Sequence, residues 1–324
     1  MSEPIDEAPR AGSLADRCEI RWRQAGWISL GAAALLLGLH FLPSRSGLSH
    51  MDFIAGGQDA LQFCDPENPR FLEVVAKSSP VTMTLASPAA AAGLPVEAAL
   101  VLRAATGKPI GPTDLSPTAA GKLQLLIIGP SLDDFQATPA QAGRRPGEWT
   151  FAFTPHAHGV YRVFADFTPV AARREMYASA DVTIAEPGLT MAGLGAEPSG
   201  LWRPGWPPGD TAEVDGYRFA LRSSARPIYA RQPVELTLAV TRIDGGSVPL
   251  QLLSGAFAYL TIFDERRTGF VNLPASAASR QPDRFHPTLV FKVTLSDPGH
   301  YIIWSQVSLA GRESRAPFRL SVVP

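Results

Sequence analysis

An internal repeat constrains this 324-residue chain more than any other feature of its sequence. Short apolar or alternating runs recur in two series, the first within residues 81–185 and the second within residues 216–323. GVYRVFADFTP in the first series aligns with GHYIIWSQVSL in the second, and LPVEAALVLRAATGKPIG aligns with QPVELTLAVTRIDGGSVP. A repeat of roughly 140 residues is too long for a solenoid unit, so it predicts two tandem domains of one fold.

Each copy holds six or seven short strands in roughly 105–110 residues, which is typical of an immunoglobulin-like β-sandwich. We assign the first sandwich to residues 81–186 and the second to residues 215–324. Residues 187–214 are rich in Pro and Gly, and we expect a linker without regular structure there. The predicted fold is therefore mainly β, with one N-terminal transmembrane helix followed by two tandem immunoglobulin-like β-sandwich domains.

A Gly-x-Tyr sequence enters a late strand in both copies, with the tyrosines at Tyr161 and Tyr301. The shared spacing favours a tyrosine corner, in which the phenol bonds backbone near the edge of the sheet. A core tyrosine that follows a turn is the simpler interpretation. In both cases the role of these two tyrosines is structural.

Sixteen residues without a formal charge, 27–42, predict a membrane-spanning helix that Pro43 extends to 27–43. Residues 1–26 would then be cytoplasmic and residues 44–80 a connector, with a short helix around 70–77. Three arginines precede the apolar run and one follows closely, which places the N-terminus in the cytoplasm. A cleaved signal peptide is the competing interpretation, although no small-x-small site follows the run.

Several residues are candidates for contacts with a membrane or a partner. Trp27 fits an interfacial anchor, and Ala34 with Gly38 forms a small-xxx-small pair that lets helices approach closely. In the linker, Trp202 and Trp206 have little core of their own to enter. They either fix the angle between the sandwiches or dock on a partner or lipid headgroups.

The two cysteines, Cys18 and Cys64, flank the predicted span, so they would lie on opposite sides of a membrane and form no disulfide. His40, near the outer end of the span, is expected to meet water or headgroups. Contact of His40 or Cys64 with a cofactor of a partner stays open.

The late half of each copy resembles the YtkA-like periplasmic β-sandwich domains, a family associated with copper handling. The resemblance rests on Gly159–Phe167 and Pro298–Val307, which match the family's Pro-Gly-x-Tyr strand. It implies a sandwich fold, and in the family histidines supply the copper ligands. Those histidines are absent from this chain, where the corresponding positions hold Lys122, Gln124, Ala137 and Pro139 in the first copy and Tyr259, Asn272 and Pro274 in the second. The family's metal function is therefore not carried over.

Other chemistry finds little support in the sequence. His156 and His158 could present two imidazoles on one side of an extended segment, but metal sites rarely form from two ligands, so we expect solvated loop residues. The acid pairs Asp133-Asp134 and Asp264-Glu265 are expected to be solvated turns. No nucleophile elbow, phosphate loop or dinucleotide fingerprint occurs.

These features favour a non-catalytic accessory subunit without a cofactor that stabilises a larger membrane complex, photosynthetic or respiratory. Its expected partners are integral membrane subunits and the lipid bilayer. A net charge of −1 offers no basic face for nucleic acid. The sandwiches would lie in the periplasm of a bacterial inner membrane. A periplasmic copper-handling protein and an envelope module for a small ligand remain as alternatives.

Overall fold

The computed structural model describes residues 27–35, 47–53, 71, 74, 79–86, 91–185, 209–276 and 282–324. The chain divides into two compact units, residues 1–47 and residues 48–324. In the first unit, residues 27–35 form an α-helix on which Trp27 is 75% exposed. Within the described part of the chain, no helix is long and apolar enough to cross a membrane.

The second unit contains two β-sandwiches. The strands of the first are β1 (Val81–Ala86), β2 (Val96–Ala104), β3 (Leu123–Ile128), β4 (Phe135–Pro139), β5 (Gln141–Ala142), β6 (Glu148–Phe153), β7 (Gly159–Phe167) and β8 (Met176–Ile184). They form a back sheet in the order β1-β2-β6-β5 and a front sheet in the order β4-β3-β7-β8. This strand order is that of an immunoglobulin-like Greek-key sandwich.

The second sandwich repeats this arrangement with additions at its edges. Its strands are β9 (Thr211–Val214), β10 (Tyr217–Ser223), β11 (Ile228–Tyr229), β12 (Pro233–Arg242), β13 (Leu250–Gln251), β14 (Ala258–Asp264), β15 (Phe270–Pro274), β16 (Thr288–Thr294), β17 (Gly299–Leu309) and β18 (Arg312–Val323). The back sheet runs β16-β12-β10-β9, and the front sheet runs β11-β18-β17-β14-β15 with β13 beside β17. Since β11 pairs in parallel with β18, the second sandwich has the extra edge strand found in many immunoglobulin-like domains.

Alternation of apolar and polar residues explains the back sheets. In β2, Val96, Ala98, Leu100 and Leu102 are buried while their neighbours point outward. The partner strand β6 buries Trp149, whose indole N–H donates to the carbonyl of Ile110 at 2.9 Å. Each sandwich has its own apolar core between its two sheets.

The segment before β1, predicted to be a connector, contains a 3-10 helix and two aromatic residues that pack into the sandwich cores. Residues His50–Phe53 form a 3-10 helix, and Phe53 is fully buried in the core of the first sandwich. Phe71, in contrast, packs into the core of the second sandwich, and its N–H donates to the carbonyl of Thr294 at 3.0 Å. The segment before β1 therefore contributes one aromatic side chain to the core of each sandwich. Phe71 and Val74 are not helical, and the rest of the helix predicted around 70–77 lies outside the described residues.

The expectation of an irregular linker up to residue 214 is wrong at its end. Residues Thr211–Val214 form β9, which pairs with β10, because β10 offers an open sheet edge and the hairpin turn holds Gly216 at a φ of 81°. Several other predicted features fall outside the described residues, namely residues 36–43 of the span, Cys18, Gly38, His40, Cys64, Trp202 and Trp206.

Candidate functional site

The most distinctive feature of residues 48–324 is the junction between the two sandwiches. Their front sheets pack against each other through their outer faces, so each front sheet is covered on both sides. The junction consists of a third apolar cluster, separate from the two cores, whose buried members are Val74, Leu126, Ile128, Phe135, Phe164, Tyr177, Phe263, Phe270, Ile302 and Trp304.

Aromatic rings dominate the contacts across the junction. Phe164 of β7 lies 5.1 Å from Phe270 of β15 between ring centroids, and Trp304 of β17 lies 5.8 Å from Phe135 of β4. Phe164 and Trp304 are equivalent in the repeat, as are Phe135 and Phe270. The two copies therefore meet through the same patch, as the subunits of a two-fold symmetric dimer do. Offset and tilted pairs at such distances add to the free energy gained by burial.

Hydrogen bonds at the turns between front strands reinforce the ring contacts. Leu132 and Arg267 are equivalent turn residues with left-handed φ values of 66° and 55°. The indole N–H of Trp304 donates to the carbonyl of Leu132 at 3.1 Å. In the reciprocal direction, Nη1 of Arg162 donates to the carbonyl of Arg267 at 2.8 Å.

Arg267 is a buried cation in this junction, with 4% of its surface exposed. Its Nη1 donates to the carbonyl of Val160 in the other sandwich at 2.5 Å. Burial, followed by the positive charge of Arg162, lowers the pKa of Arg267, while the carboxylates of Asp181 and Asp264 oppose that shift. Breaking these contacts would leave a desolvated guanidinium, so they hold the register of the two copies.

A partly buried carboxylate, Asp166, lies further along the outer face of β7. Burial, and then the negative charge of Glu175, raise the pKa of Asp166 to about 7. Burial, and then the negative charge of Asp166, raise the pKa of Tyr259 in the second sandwich. The Tyr259 hydroxyl donates to the carbonyl of Ser254 at 2.7 Å. Asp166 is therefore a group that titrates near neutral pH beside the junction.

A second polar cluster surrounds Asp134, at the opposite end of the first sandwich. The expectation that the Asp133-Asp134 pair is solvated is wrong for Asp134, which is 7% exposed. Its Oδ2 accepts from the hydroxyl of Tyr161 at 2.6 Å and from the N–H of His156 at 2.8 Å. Burial raises the pKa of Asp134, but the hydrogen bonds from Tyr161, His156 and Gln136 outweigh burial and the pKa is lowered. The Tyr161 side chain packs over this turn and shields Asp134 from solvent.

The two tyrosines predicted to be structural begin equivalent strands. The Tyr161 hydroxyl accepts the N–H of Ala157 at 3.0 Å, and the Tyr301 hydroxyl donates to the carbonyl of Asp297 at 2.9 Å. Both partners lie four residues upstream, as in a tyrosine corner. Tyr161 differs from Tyr301 in its additional bond to Asp134.

The two histidines considered as low-probability metal ligands lie in the loop before β7. Nδ1 of His156 is 2.9 Å from Oδ1 of Asp134, and 68% of the His156 side chain is exposed. His158 is exposed. Across the described ranges, no group of three or more His, Cys, Asp or Glu side chains could hold a metal ion.

The positions where the resembled family has histidines lie on or beside the front strands. Gln124 pairs with Pro139, Tyr259 pairs with Pro274, and Asn272 bonds Thr261 at 3.1 Å. Ala137 packs against the junction cluster.

Sequence reasoning missed the junction, although two signals for it were present. Residues 125–128 read LLII, four consecutive apolar residues in one strand, and residues 302–304 read IIW. A strand that is apolar on both faces is expected to be covered on both sides. Those runs could have identified the front sheets as buried, but not what covers them.

One family model and several solved structures match parts of this chain. The model of a family described as a domain of unknown function, DUF8832, matches residues 212–323, which is the second sandwich. No curated protein sequence matches the chain.

Among solved structures, the chain is similar to the Escherichia coli adhesin FdeC, with 16% identity and a TM-score of 0.23, over 76% of this chain and 65% of the adhesin. It is also similar to fibronectin(III)-like modules of Clostridium thermocellum CbhA, with 12% identity and a TM-score of 0.19, over 74% of this chain and 92% of those modules. Bovine butyrophilin matches with 13% identity and a TM-score of 0.19, over 76% of this chain and 100% of butyrophilin. None of these scores reaches 0.5, so the matches say nothing about what this chain does.

Proposed function

We propose that this chain is a non-catalytic, membrane-anchored structural subunit that braces a larger membrane protein complex, such as a photosynthetic or respiratory one, from the periplasmic side. The observation that supports this function best is the junction. The outer faces of both front sheets are buried against each other. The two sandwiches therefore form one stiff element rather than two independent binding modules. A stiff element suits a brace, because force on one sandwich is transmitted to the other.

The sequence supplies the second support. The uncharged run at residues 27–42 and the preceding arginines favour one retained span with the N-terminus in the cytoplasm. Integral membrane subunits and the surrounding lipid are the partners that such a span would meet. Ala34 lies on the described helix, and Gly38 lies outside the described residues.

Native electrophoresis of gently solubilised membranes, followed by mass spectrometry, tests this function. The chain is expected to migrate with a complex much larger than itself, in fixed stoichiometry. A free, metal-free monomer under conditions that keep known membrane complexes intact would contradict the proposal.

Substitution in the anchor sharpens that test. Gly38→Leu adds bulk to the small-residue face, so it should reduce the amount of complex without changing membrane retention. Leu35→Ile preserves size and serves as the control. Equal complex yield for both variants would show that the small face makes no contact.

One observation favours a second candidate function, the handling of copper or a related metal. A metal-binding histidine commonly donates its second ring N–H to a carboxylate, and His156 has this arrangement with Asp134. Further ligands would have to come from His158, water or another chain. Equilibrium dialysis with Cu²⁺ would show stoichiometric tight binding that His156→Ala abolishes and His300→Ala preserves. Absence of tight binding in the unmodified protein would remove this candidate.

A further inference from the structure

The two sandwiches present corresponding ends on the same side. One end of each sandwich carries the connection between the second and third core strands, and these two connections touch: a Cβ placed on Gly255 would lie 3.4 Å from the Cβ of Ala119. We define the loop face as residues 50–53, 105–122, 143–147 and 168–175 of the first sandwich together with 243–257, 282–287 and 310–311 of the second.

The chain enters the sandwiches at this loop face. Asp52 fixes the entry segment, since its carboxylate accepts from Thr106 at 2.7 Å and from Lys108 at 3.2 Å, and both donors lie in the loop after β2. Leu48 and Phe53 are buried in the first core on either side of Asp52. The position of Leu48 relative to the loop face is therefore well defined.

The predicted span ends only a few residues before Leu48. Leu42 and Leu48 are six Cα–Cα steps apart, and an extended chain covers that separation in at most about 22 Å. On the membrane anchor of the proposed function, at most this length of chain tethers the bilayer surface to Leu48. The opposite end of each sandwich is separated from the loop face by the full length of the strands.

Exposed apolar side chains concentrate on this same face. In the described residues from 48 onward, seven large apolar side chains are exposed. Two of them, Leu94 and Tyr229, lie at the opposite end, while five lie on the loop face: Met51 63%, Val170 46%, Ile243 53%, Leu252 61% and Phe285 52% exposed. They occupy separate loops of both sandwiches, so they form a set of projecting tips rather than a pocket.

Basic side chains accompany these tips on the first sandwich. Lys122, Arg144, Arg145 and Arg173 are exposed there. The acids nearby are fewer: Glu175 is exposed, whereas Glu148 caps the backbone N–H groups of Arg144 and Arg145. On the second sandwich the charges balance more closely, as in the Arg242–Asp244 pair at 3.0 Å. A face with apolar tips on both sandwiches and an excess of cationic side chains on the first suits an anionic lipid surface.

We infer that the loop face rests on the anionic headgroup layer of the bilayer, with the apolar tips inserted into the interface and the basic side chains on lipid phosphates. This inference rests on the membrane anchor of the proposed function. It gives the brace a fixed orientation, with the strands of both sandwiches upright on the membrane. The His156 and Asp134 cluster then faces away from the lipid.

Lipid-borne quenching of a site-specific fluorophore tests this orientation on the full chain. Cys18 and Cys64 are replaced by Ser, single cysteines are introduced as Leu252→Cys or Phe285→Cys, and an environment-sensitive dye is attached. The protein is reconstituted in nanodiscs of phosphatidylcholine and phosphatidylglycerol that contain nitroxide-labelled lipid. Leu94→Cys and Tyr229→Cys, at the opposite end, are the matched controls.

Quenching at 252 and 285 is expected to exceed that at 94 and 229 by at least about twofold, and Arg144→Glu with Arg145→Glu should reduce it. Equal quenching at both ends would overturn the inference. Quenching at 252 and 285 that occurs only when other membrane proteins are added would also overturn it. Protein that inserts into nanodiscs without any quenching at 252 and 285 contradicts the loop-face contact alone. Failure to insert at all would instead contradict the anchor of the proposed function.

Discussion

The two sandwiches have the same strand order but differ in where they bury charge. Among the described residues, every buried carboxylate belongs to the first half of the unit, namely Asp52, Asp114 and Asp134. In the repeat, Asp134 corresponds to Gly269, and Asp166 corresponds to Gln306, which is 6% exposed. The front-sheet aromatics, in contrast, are present in both copies. The shared residues thus form the core and junction. The buried carboxylates lie in the first half of the unit, whereas the second copy buries the guanidinium of Arg267.

This difference matters because apolar and charged groups respond to different perturbations. An apolar junction is sensitive to loss of volume and insensitive to pH. A buried carboxylate is sensitive to pH and to the loss of single hydrogen bonds. Substitutions in equivalent positions of the two copies therefore separate the two kinds of contribution.

The largest effect is expected for loss of an aromatic ring at the junction. Phe164→Ala removes a fully buried ring that contacts Phe263 and Phe270, and it should lower the free energy of unfolding by about 3–5 kcal/mol. Urea unfolding in detergent measures it. Leu94→Ala, at an exposed position, is the control and should change stability by less than about 0.5 kcal/mol. Similar values for both variants would mean that the sandwiches do not pack as described.

The next effect concerns Asp166 and its dependence on pH. Its folded pKa of about 7 is above the unfolded value of about 3.9, so the folded state binds the extra proton between these pH values. The stability of the native protein should therefore fall as pH rises from about 4 to about 7, and then level off. Asp166→Asn should remove this slope and increase stability at pH 8 by up to about 4 kcal/mol.

Unfolding midpoints at pH 5 and pH 8 measure the Asp166 effect. Asp133→Asn, at an exposed position, is the control substitution. Glu175→Gln should shift the slope to lower pH, because its charge contributes to the raised pKa of Asp166. Parallel pH profiles for the native protein and Asp166→Asn would contradict a titrating group beside the junction.

The smallest effects distinguish the two corner tyrosines. Tyr161→Phe deprives Asp134 and the N–H of Ala157 of a partner, so it should cost about 2 kcal/mol. Tyr301→Phe removes the hydrogen bond to the carbonyl of Asp297 and should cost about 1 kcal/mol. Equilibrium unfolding of both variants provides the comparison. A larger cost for Tyr301→Phe would show that the Asp134 cluster contributes little.

Much of the fold could be predicted from the pattern of the sequence. The runs VEAALVLRA and GVYRVFADF, which recur in the second copy, form β2 and β7, because alternation and flanking Gly or Pro mark them clearly. The strands β4 and β15 were not predicted. Their sequences FQATP and FVNLP are short and end in Pro, and pairing with a neighbouring strand rather than local pattern makes them strands.

The candidate site was much less predictable. Asp134 appears in the sequence beside Asp133 in a turn, and only the return of Tyr161 over that turn buries it. The role of Phe53 and Phe71 depends on packing with strands far away in sequence. Tertiary contacts of this kind leave no local periodicity, so a single sequence shows the apolar residues without showing which core receives them.

The central claim, that the two sandwiches form one stiff body, can be tested by the distance between them. Spin labels at Glu97→Cys and Lys292→Cys, both exposed on the outer faces of the back sheets, would be placed in the full chain with Cys18 and Cys64 replaced by Ser. Double electron–electron resonance is expected to give one narrow distance distribution, which Phe164→Ala broadens. A broad distribution in the unsubstituted protein, unchanged by Phe164→Ala, would contradict the claim.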